Sequence, residues 1–433
     1  MKYQKLLSVI PFYGGKGRMA HFIADRLEYV NSDIFVTPFG GGCRVLLNKP
    51  RHPVEIYNDF SVGLCALMRV LSQRDTAIEL IRRVMDSEYS REQFEEAKEL
   101  FDRSGDIKEY IWGKILDCLS RKFPQMDRRS LPQLFGYGIA VEDLRNPNEE
   151  LKVRWAELNK ARAIDSEFKD EIDPLLKDFI RIVEAEETGK DFTAIRGKDI
   201  YNIDDIDLAF ATYIVYTMSR DGMGKEFTEY KFKDTEHYHK RAESLFACAE
   251  RLEGIEVQQL DAFMFFRKGE ELDEEEEPAP TRQIIGDWLD NPSVMMYLDP
   301  SYIQPESERE ALKGIDWQRV DSLSKAVRDI IKKEKEEKKR RKEAGENVKG
   351  IKIRKMPQNL GEVYARSFNY EEQENFLRLI CNAKCKILIS NYDLILYDKY
   401  LTMNGWHRTE FITSTSVGSQ AGNDRTEVIW WNY

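Results

Sequence analysis

The sequence has few of the residues that build disulfide scaffolds or metal sites. Its six cysteines are scattered, and the closest pair, Cys381 and Cys385, has no nearby histidine or second cysteine pair to complete a zinc site. Among the five histidines, His237 and His239 would point the same way only on a strand, and no third ligand is apparent. We therefore expect no metal site and a reducing, cytoplasmic location.

Long apolar runs and a secretion signal are also missing. No apolar segment approaches the roughly 20 residues that a membrane span needs. Residues 1–10 contain two lysines and a short apolar stretch, but they continue directly into the glycine-rich PFYGGKGRM without a cleavage context. With 42% hydrophobic and 33% charged residues, we expect a globular protein with no membrane span. Its 433 residues exceed an ordinary domain of about 150 residues.

Two common nucleotide-binding patterns are absent. The chain has no GxxxxGK[ST] phosphate loop, and the sixth position counted from Gly40 is Val45, where a dinucleotide fold would have glycine or alanine. Both absences disfavour a nicotinamide- or nucleotide-dependent enzyme. The net charge of −11 argues against a non-specific nucleic-acid coat. It does not exclude a DNA enzyme, because only the charge on the contacting face matters.

Short apolar segments at a regular cadence predict an α/β fold. Four of them carry an aspartate at or just after the apolar run, namely Asp59, Asp261, Asp299 and Asp393. Ligands of open α/β sheets bind at the carboxyl ends of the strands, so these aspartates are candidate site residues, although a single one is often only a turn or helix cap. The predicted strands are 33–37, 54–59, 255–261, 294–300, 386–393 and 426–432.

Between the second and third predicted strands, residues 64–192 are charged and helix-periodic, which predicts an inserted helical domain. Residues 209–232 follow as an aromatic-rich helix or strand that enters a glycine-containing basic loop, suited to reading DNA or to an ordinary hairpin. Residues 268–280 are acidic and predict a solvated loop. Residues 328–355 hold thirteen Lys or Arg against six Asp or Glu, either as a solvated helix face or as an element that follows phosphates.

The segment PFGGG, residues 38–42, directly follows a predicted strand and precedes a helix-like segment. Its three glycines allow a tight turn and a close approach of the backbone to a ligand. Asp59 lies about 20 residues further on, where a carboxylate can accept both ribose hydroxyls of a nucleoside. The pair indicates a nucleoside-containing ligand.

The segment LDPSY, residues 298–302, ends another predicted strand and suits methyl transfer to an exocyclic amine. The Asp299 carboxylate and the Pro300 carbonyl can accept both amine protons, so the nitrogen becomes a better nucleophile as charge develops. Tyr302 can stack on an extruded base. The alternative is a strand end followed by a type I turn, for which DPSY is also suitable.

In order along the chain, these motifs resemble those of the Dam-type (class alpha) DNA adenine-N6 methyltransferases. The resemblance rests on PFYGGKGRM, FVTPFGGG, YND, QQLDAF, LDPSY, SFNYEEQENFL and ILISNYD, and covers roughly residues 6–70, 209–303 and 364–432. It implies a Rossmann-like fold that uses S-adenosylmethionine, with a helical insertion and a target-recognition region before the catalytic motif. It also implies double-stranded DNA as substrate, base flipping, and the cytoplasm of a bacterial or phage-infected cell.

The resemblance also implies roles for individual residues. Asp299, Pro300 and Tyr302 would form the catalytic set, and Arg220 and Lys225 of the loop 219–227 would contact DNA. The residues Tyr13, Gly14, Gly15 and Lys16 would close over the methionine end of the cofactor, and Phe39, Gly40 and Gly42 would form the main loop that binds it. Asp59 would hold the ribose, and Asp261 with Phe263 would bracket the adenine.

The chain departs from the family pattern at two positions. Ser301 stands at the third position of the usual DPPY, which removes one rigid φ angle and would loosen the loop. Thr37 stands where the family commonly has glutamate, which puts a cofactor contact in doubt. Two alternative functions stay open: methylation of cytosine N4 or of an RNA base, and a non-catalytic DNA-binding relative.

The same motifs divide the chain into six segments. The helical insertion is also a candidate site for a partner protein or for self-association. The predicted segments are 1–70, the N-terminal part of the methyltransferase domain; 71–200, the helical insertion; 201–254, the target-recognition region; 255–305, the catalytic part; 306–360, a basic charged insertion; and 361–433, the C-terminal part.

Overall fold

In the computed structural model of the protein, strands and helices alternate around one mixed sheet. The structure describes residues 6–12, 14–17, 19–105, 107–124, 149–188, 204–266, 288–359, 368–414 and 424–433. The strands are β1 (Ile34–Thr37), β2 (Val54–Asn58), β3 (Glu256–Gln258), β4 (Val294–Leu298), β5 (Lys386–Tyr392), β6 (His407–Ser414) and β7 (Asp424–Trp431).

The helices cover both faces of this sheet and form most of the region between β2 and β3. None of those in the described segments combines the length and the apolar character required to cross a lipid bilayer. The helices are α1 (Ala20–Ala24), α2 (Arg44–Asn48), α3 (Val62–Leu71), α4 (Arg74–Asp86), α5 (Arg91–Gly105), α6 (Ile107–Lys122), α7 (Glu149–Ile164), α8 (Ser166–Thr188), α9 (Asp205–Met218), α10 (Thr235–Ala242), α11 (Ser244–Leu252), α12 (Pro305–Leu312), α13 (Leu323–Glu343), α14 (Tyr370–Ile380) and α15 (Ile395–Tyr400).

The strand order of the sheet is β3-β2-β1-β4-β5-β7-β6. The first five of these are parallel, and β7 runs antiparallel to both β5 and β6. Strand β1 therefore lies between β2 and β4, where the chain changes direction across the sheet, and ligands of such sheets bind at this point. The predicted α/β, Rossmann-like class is confirmed.

All six predicted strands are present, and the structure adds β6, which the sequence analysis missed. Strand β6 has the sequence HRTEFITS and lies at the sheet edge, paired only with β7 among the described strands. An edge strand faces solvent along one side, so it needs no continuous apolar run. The pattern used to find the central strands was therefore not informative here.

Alternating side chains of the strands divide the hydrophobic core into two layers. Phe35 and Tyr57 face a layer that includes α1 to α5 and α9 to α11, whereas Val36 and Ile56 face the layer formed by α12, α14 and α15. This alternation follows from the two-residue period of a strand. Both faces of the central strands are therefore buried, as in other doubly wound sheets.

The predicted helical insertion, residues 71–200, is divided between two cores. Helices α4 and α5 pack in the main core beside the sheet, whereas α6 to α8 form a separate cluster around Trp112 and Ile172. Helix α9 settles the choice between helix and strand for residues 209–218. It is buried almost all round, so its apolar residues show no helical stripe that the sequence could reveal.

A buried glutamate connects α12 to the start of α15. The Glu308 carboxylate accepts hydrogen bonds from the Ile395 amide at 2.7 Å, the Leu396 amide at 2.8 Å and the Tyr370 hydroxyl at 3.0 Å. Its side chain is fully buried. Burial raises the pKa of Glu308 to about 7, although these three hydrogen bonds oppose the shift.

This raised pKa predicts a pH-dependent contribution to stability. The folded protein binds the proton of Glu308 more tightly than the unfolded chain, so its contribution is complete below about pH 4.5 and is lost as the pH rises through 7. The shift corresponds to at most about 3 kcal/mol. Glutamine at this position does not titrate. We therefore expect the free energy of unfolding of Glu308→Gln, taken relative to that of the wild type, to be higher at pH 8 than at pH 5. Urea unfolding at both pH values measures this, and an unchanged difference would contradict it.

Candidate active site

The candidate site is assembled by the buried side chain of Asn58 at the end of β2. Its amide nitrogen donates to the Pro38 carbonyl at 2.9 Å and to the Leu260 carbonyl at 3.1 Å, and its oxygen accepts from the Leu260 amide at 2.8 Å. The Asn58 carbonyl also accepts from the Gly40 amide at 2.8 Å. One residue thus fixes the loops that follow β1, β2 and β3 relative to one another.

The residues on either side of Asn58 fix the glycine loop. The Tyr57 hydroxyl donates to the Gly41 carbonyl at 2.9 Å, and the Asp59 carboxylate accepts from the Gly41 amide at 2.8 Å. Gly41 has a φ of +48°, a backbone conformation that residues other than glycine rarely adopt. A Cβ at Gly40 would lie 2.1 Å from the Tyr57 ring. The loop therefore requires glycine for close contact at Gly40 and for backbone conformation at Gly41.

Asp59 keeps acceptor capacity beyond these loop contacts. One carboxylate oxygen accepts from Gly41 and the other from the Ser61 amide at 2.8 Å. The Phe60 amide bonds the carboxylate as well. Its two oxygens have four lone pairs between them, so the carboxylate can still accept a further hydrogen bond. Burial raises the pKa of Asp59, while the hydrogen bonds from Ser61 and Gly41 oppose this shift. The group can therefore receive donors such as a pair of ribose hydroxyls.

A glycine-lined cleft opens at the carboxyl ends of β1, β2 and β4. The space within it, including its open mouth, is about 1090 Å³. Eight of the ten residues predicted to bind a cofactor line this cleft: Gly14, Gly15, Lys16, Phe39, Gly40, Gly42, Asp59 and Asp261.

The other two predicted cofactor residues are not in the wall of the cleft. Tyr13 lies outside the described residues. Phe263 lies one layer behind, with its ring stacked on Phe368 at a centroid distance of 4.9 Å and an interplanar angle of 20°. Phe368 itself lines the cleft. The structure therefore places Phe263 as support for the wall, and Asp261 accepts from the Phe263 amide at 3.0 Å.

The N-terminal glycine loop, residues 14–17, places the buried Lys16 side chain next to the predicted catalytic carboxylate. The Lys16 amine lies 2.8 Å from Asp299 Oδ1 and 4.5 Å from the centroid of the Tyr302 ring. Burial alone would lower the pKa of Lys16, but the charge of Asp299, with Glu427 and Tyr297, outweighs it and raises the pKa overall. Lys16 is therefore a permanent cation between the carboxylate and the aromatic ring.

Asp299 lines the cleft with one oxygen fixed by the protein. Its Oδ1 accepts from the Ser390 hydroxyl at 3.0 Å and from Lys16, and Ser390 is itself 3.0 Å from the Tyr297 hydroxyl. Among the described residues, none donates to Asp299 Oδ2 or to the Pro300 carbonyl. Two acceptors of the predicted catalytic set therefore have no donor among the described residues; Asp299 lines the cleft, whereas Pro300 is buried and is not part of its wall.

Tyr302, the third predicted catalytic residue, is covered in this structure. Its ring is 7% exposed and packs edge-on against Tyr392, with centroids 4.7 Å apart. The Lys16 amine lies over the same ring. Tyr302 is adjacent to Asp299 and Lys16, but it does not belong to the cleft wall as the structure stands.

The two departures from the family pattern have different surroundings. The Ser301 hydroxyl accepts from the Phe368 amide at 2.8 Å, and the Ser301 carbonyl accepts from the Gln373 side chain at 2.7 Å. These bonds anchor the loop that we expected Ser301 to loosen, and they position the aromatic wall residue. Thr37 is buried and lines the cleft, where a glutamate would be expected from the family pattern.

The predicted DNA-reading loop, residues 219–227, lies beside the cleft and is folded on itself. The Arg220 amide donates to the Glu226 carbonyl at 2.8 Å, and the Ser219 hydroxyl accepts from the Gly224 amide at 2.9 Å. Both predicted contact residues, Arg220 and Lys225, are exposed, and neither lines the cleft. Their positions allow contact with a substrate outside it.

The sequence analysis missed several residues of this site. Arg44 lines the cleft directly after the glycine loop, and burial lowers the pKa of its guanidinium. Phe12 and Tyr216 also line it, with centroids 5.5 Å apart. Arg44 could have been noticed as a basic residue at the end of the glycine motif. Tyr216, on α9, had no local signal because its contact with the cleft is tertiary.

Among the described residues, no group of three or more His, Cys, Asp or Glu side chains is placed to hold a metal ion. The cleft is instead lined by glycine backbone, aromatic rings, three carboxylates that follow β-strands and two cations. Residues 12–123 match the family model of the D12 class N6 adenine-specific DNA methyltransferases. The resemblance predicted from the motifs is thereby confirmed for this part of the chain. The chain has no match among the curated proteins.

The matched residues include the part of the cleft that we predicted to bind a cofactor. Residues 12–123 include the N-terminal glycine loop, the PFGGG loop and Asp59, and they continue through α3 to α6. Asp299 and the rest of the predicted catalytic segment lie beyond the matched residues. The tertiary structure, rather than the match, brings that segment next to Lys16.

The close contact at Gly40 predicts the effect of one added methyl group. We expect Gly40→Ala to displace Tyr57, open the glycine loop and weaken binding of S-adenosylmethionine by at least about tenfold. Gly113→Ala is the control, because a Cβ there meets nothing within 4 Å in the middle of α6. Calorimetric titration measures both affinities, and an equal affinity of the two variants would contradict the assignment of the cleft.

The buried ion pair predicts strong coupling between Lys16 and Asp299. We expect Lys16→Met to destabilise the fold by about 3 kcal/mol, because it leaves a carboxylate without its cation. With Asp299→Asn in the same chain, the loss should be smaller than the sum of the two single losses by at least about 1 kcal/mol. Urea unfolding of the four proteins measures this coupling, and additive losses would show that the pair contributes nothing.

Proposed function

We propose that this protein transfers the methyl group of S-adenosylmethionine to the N6 amine of adenine in double-stranded DNA, after the base has been flipped out. The single observation that supports it most directly is a pair of adjacent acceptors without a donor, Asp299 Oδ2 and the Pro300 carbonyl, which follow β4 beside the glycine-lined cleft. An amine has two protons to donate, and two adjacent acceptors suit it.

The residues present fit the proposed cofactor. The Gly40, Gly41 and Gly42 backbone forms part of the cleft wall without side chains, Asp59 retains lone pairs for ribose hydroxyls, and the wall around Phe39 and Phe368 is aromatic. The cofactor would supply an electrophilic methyl group on its sulfonium. The protein itself would orient the amine and exclude water.

The protein's part of the reaction requires no covalent intermediate. Asp299 and Pro300 would accept the amine protons and direct the nitrogen lone pair toward the methyl group. Cys43 is the one cysteine among the described residues that lines the cleft, and burial raises the pKa of its thiol, so it stays protonated. A thiol is a poor nucleophile compared with a thiolate. Direct transfer therefore suits this site better than a cysteine adduct.

Binding of the base would require Lys16 to move. Its amine now occupies the space between Asp299 and the face of Tyr302, where the target base would bond and stack. Lys16 would thus hold the Asp299 carboxylate in place, and keep its charge paired, until the base arrives. The exposed residues Arg220 and Lys225 would contact DNA outside the cleft. The proposed place of action is the cytoplasm of a bacterial or phage-infected cell.

The same acceptor pair could serve the N4 amine of cytosine or an amine of an RNA base. Adenine is favoured because the family that residues 12–123 match acts on adenine N6. A non-catalytic relative would bind cofactor and DNA without transfer. The loosening of the loop that we expected from Ser301 would have favoured such a relative, but Ser301 is well bonded in this structure.

We expect Asp299→Ala to lower turnover about 10²- to 10³-fold, because it removes one acceptor from the charge-developing amine. Affinity for S-adenosylmethionine should stay within a few-fold. Tritium transfer from S-adenosylmethionine into unmethylated duplex DNA, followed by nucleoside mass analysis, measures the product. The control is Asp393→Ala, another strand-terminal aspartate, which pairs with Arg408 at 2.7 Å outside the cleft.

Label recovered in N6-methyladenine with the wild type and the control, and lost in Asp299→Ala, would establish the reaction. Label in N4-methylcytosine, or transfer to RNA but not to DNA, would replace the proposed substrate. Unchanged turnover in Asp299→Ala would remove Asp299 from the mechanism. Binding of cofactor and DNA without any transfer would indicate the non-catalytic relative.

A further inference from the structure

A basic hairpin follows the predicted catalytic loop and α12 along the chain. It consists of α13 and the extended residues 345–359 that return beside it. On α13, four exposed lysines recur at intervals of three and four residues and so lie on one face of the helix. We call them the lysine stripe, namely Lys332, Lys335, Lys339 and Lys342.

Other residues of the hairpin account for its folding. Glu374 accepts from the Leu323 amide at 2.7 Å and the Ser324 amide at 3.1 Å, which anchors the start of α13. The returning segment is attached by Lys338, whose amine donates to the Ile351 carbonyl at 2.8 Å, and by Glu334, which accepts from the Arg354 amide at 2.7 Å. The lysine stripe takes no part in these contacts.

Few charges of the lysine stripe are paired, although Glu336 and Glu343 lie beside it on the helix. Within the described part of the chain, its one ion pair joins Lys339 and Glu343 at 3.9 Å, and these side chains are 78% and 64% exposed. Exposed pairs of this kind contribute little. Rows of like charge at such spacing destabilise an isolated helix by about 0.2–0.5 kcal/mol per pair. Folding of the hairpin therefore does not explain the lysine stripe.

Packing does not explain it either. The last residue of α13 packed against the core is Ile331, and the helix continues to Glu343. Those twelve residues extend about 18 Å at 1.5 Å per residue. The chain as a whole carries a net charge of −11, whereas residues 328–355 carry an excess of seven positive charges. A concentrated cationic projection from an acidic protein indicates a polyanionic partner.

The base of the hairpin adjoins the predicted catalytic loop. Ile303 forms a β-bridge with Asn359, and the Gln304 amide donates to the Gln358 carbonyl at 2.8 Å. Ile303 is separated from Asp299 by only three residues. The Arg354 guanidinium further bonds the Ala311 and Lys313 carbonyls, each at 3.0 Å. The hairpin is thus attached within a few residues of the site where the substrate would react.

We propose that the lysine stripe binds the phosphate backbone of duplex DNA that flanks the base in the cleft. This inference rests on the proposed function for its choice of DNA. Neighbouring lysines of the stripe are about 5–6 Å apart, and the row is about 15 Å long. Duplex DNA carries one negative charge per roughly 1.7 Å of its axis, so a row of this length meets several phosphates. The stripe increases affinity without reading sequence.

The test replaces all four lysines of the stripe by glutamine and measures binding of a 30-base-pair duplex by fluorescence anisotropy between 50 and 300 mM NaCl. Each phosphate contact contributes about 0.9 to the slope of log affinity against log salt. We expect the slope to fall by at least about 2 and the affinity near 150 mM to fall at least about tenfold. Turnover at saturating DNA should change less than about twofold.

Two matched variants control for the change of sequence and of net charge. Replacement of the stripe by four arginines keeps the charge and should preserve both slope and affinity. Replacement of exposed Lys160, Lys169 and Lys177 by glutamine removes a similar charge from α7 and α8, and it should change the slope by less than about 1. Circular dichroism checks that each variant retains the helix content of the wild type.

An unchanged slope and affinity in the glutamine variant would overturn the proposal, and so would an equal loss in the α7 and α8 variant. Loss of binding to single-stranded RNA with duplex binding intact would assign the stripe to another macromolecule and also overturn it. The binding assay needs no methyl transfer. If the wild type transfers no label, the proposed function fails, while the salt slopes still decide whether the stripe contacts duplex DNA.

Discussion

The candidate site depends on one buried amide. Asn58 is fully buried at the end of β2, and its side chain bonds the loops after β1 and β3 at Pro38 and Leu260. A buried polar group of this kind is stabilising only when all its partners are in place. Tyr57 and Asp59 then fix the glycine loop from either side. The geometry of the cleft is thus a consequence of where β2 ends.

The predicted catalytic carboxylate is also held by several partners at once, one of which is a cation. Lys16 and Ser390 both contact Asp299 Oδ1, so the carboxylate is oriented before any substrate binds. Its second oxygen stays available. The Lys16 side chain is buried, whereas the Asp299 side chain is partly exposed on the side of the cleft. In the proposed reaction, the target base would have to displace the Lys16 amine from this carboxylate.

The additional segments are attached to the sheet without changing its order. Helices α4 and α5 join the main core, α6 to α8 form their own, and the basic hairpin is attached beside the predicted catalytic loop. Ser301 shows how a local departure is absorbed, because its hydroxyl bonds the Phe368 amide and so supports the wall of the cleft. The sheet carries the candidate site, and the additional segments form surfaces around it.

Six of the seven described strands, the glycine loop and the strand-terminal aspartates could be predicted from the sequence, because buried strands need apolar runs and tight turns need glycine. Strand β6 and helix α9 could not, since a polar edge strand and a fully buried helix lack the expected periodicity. Only the tertiary structure decided that Lys16 pairs with Asp299, that Phe368 lines the cleft and that Phe263 lies behind it. These contacts join residues far apart in the chain, so no local pattern records them.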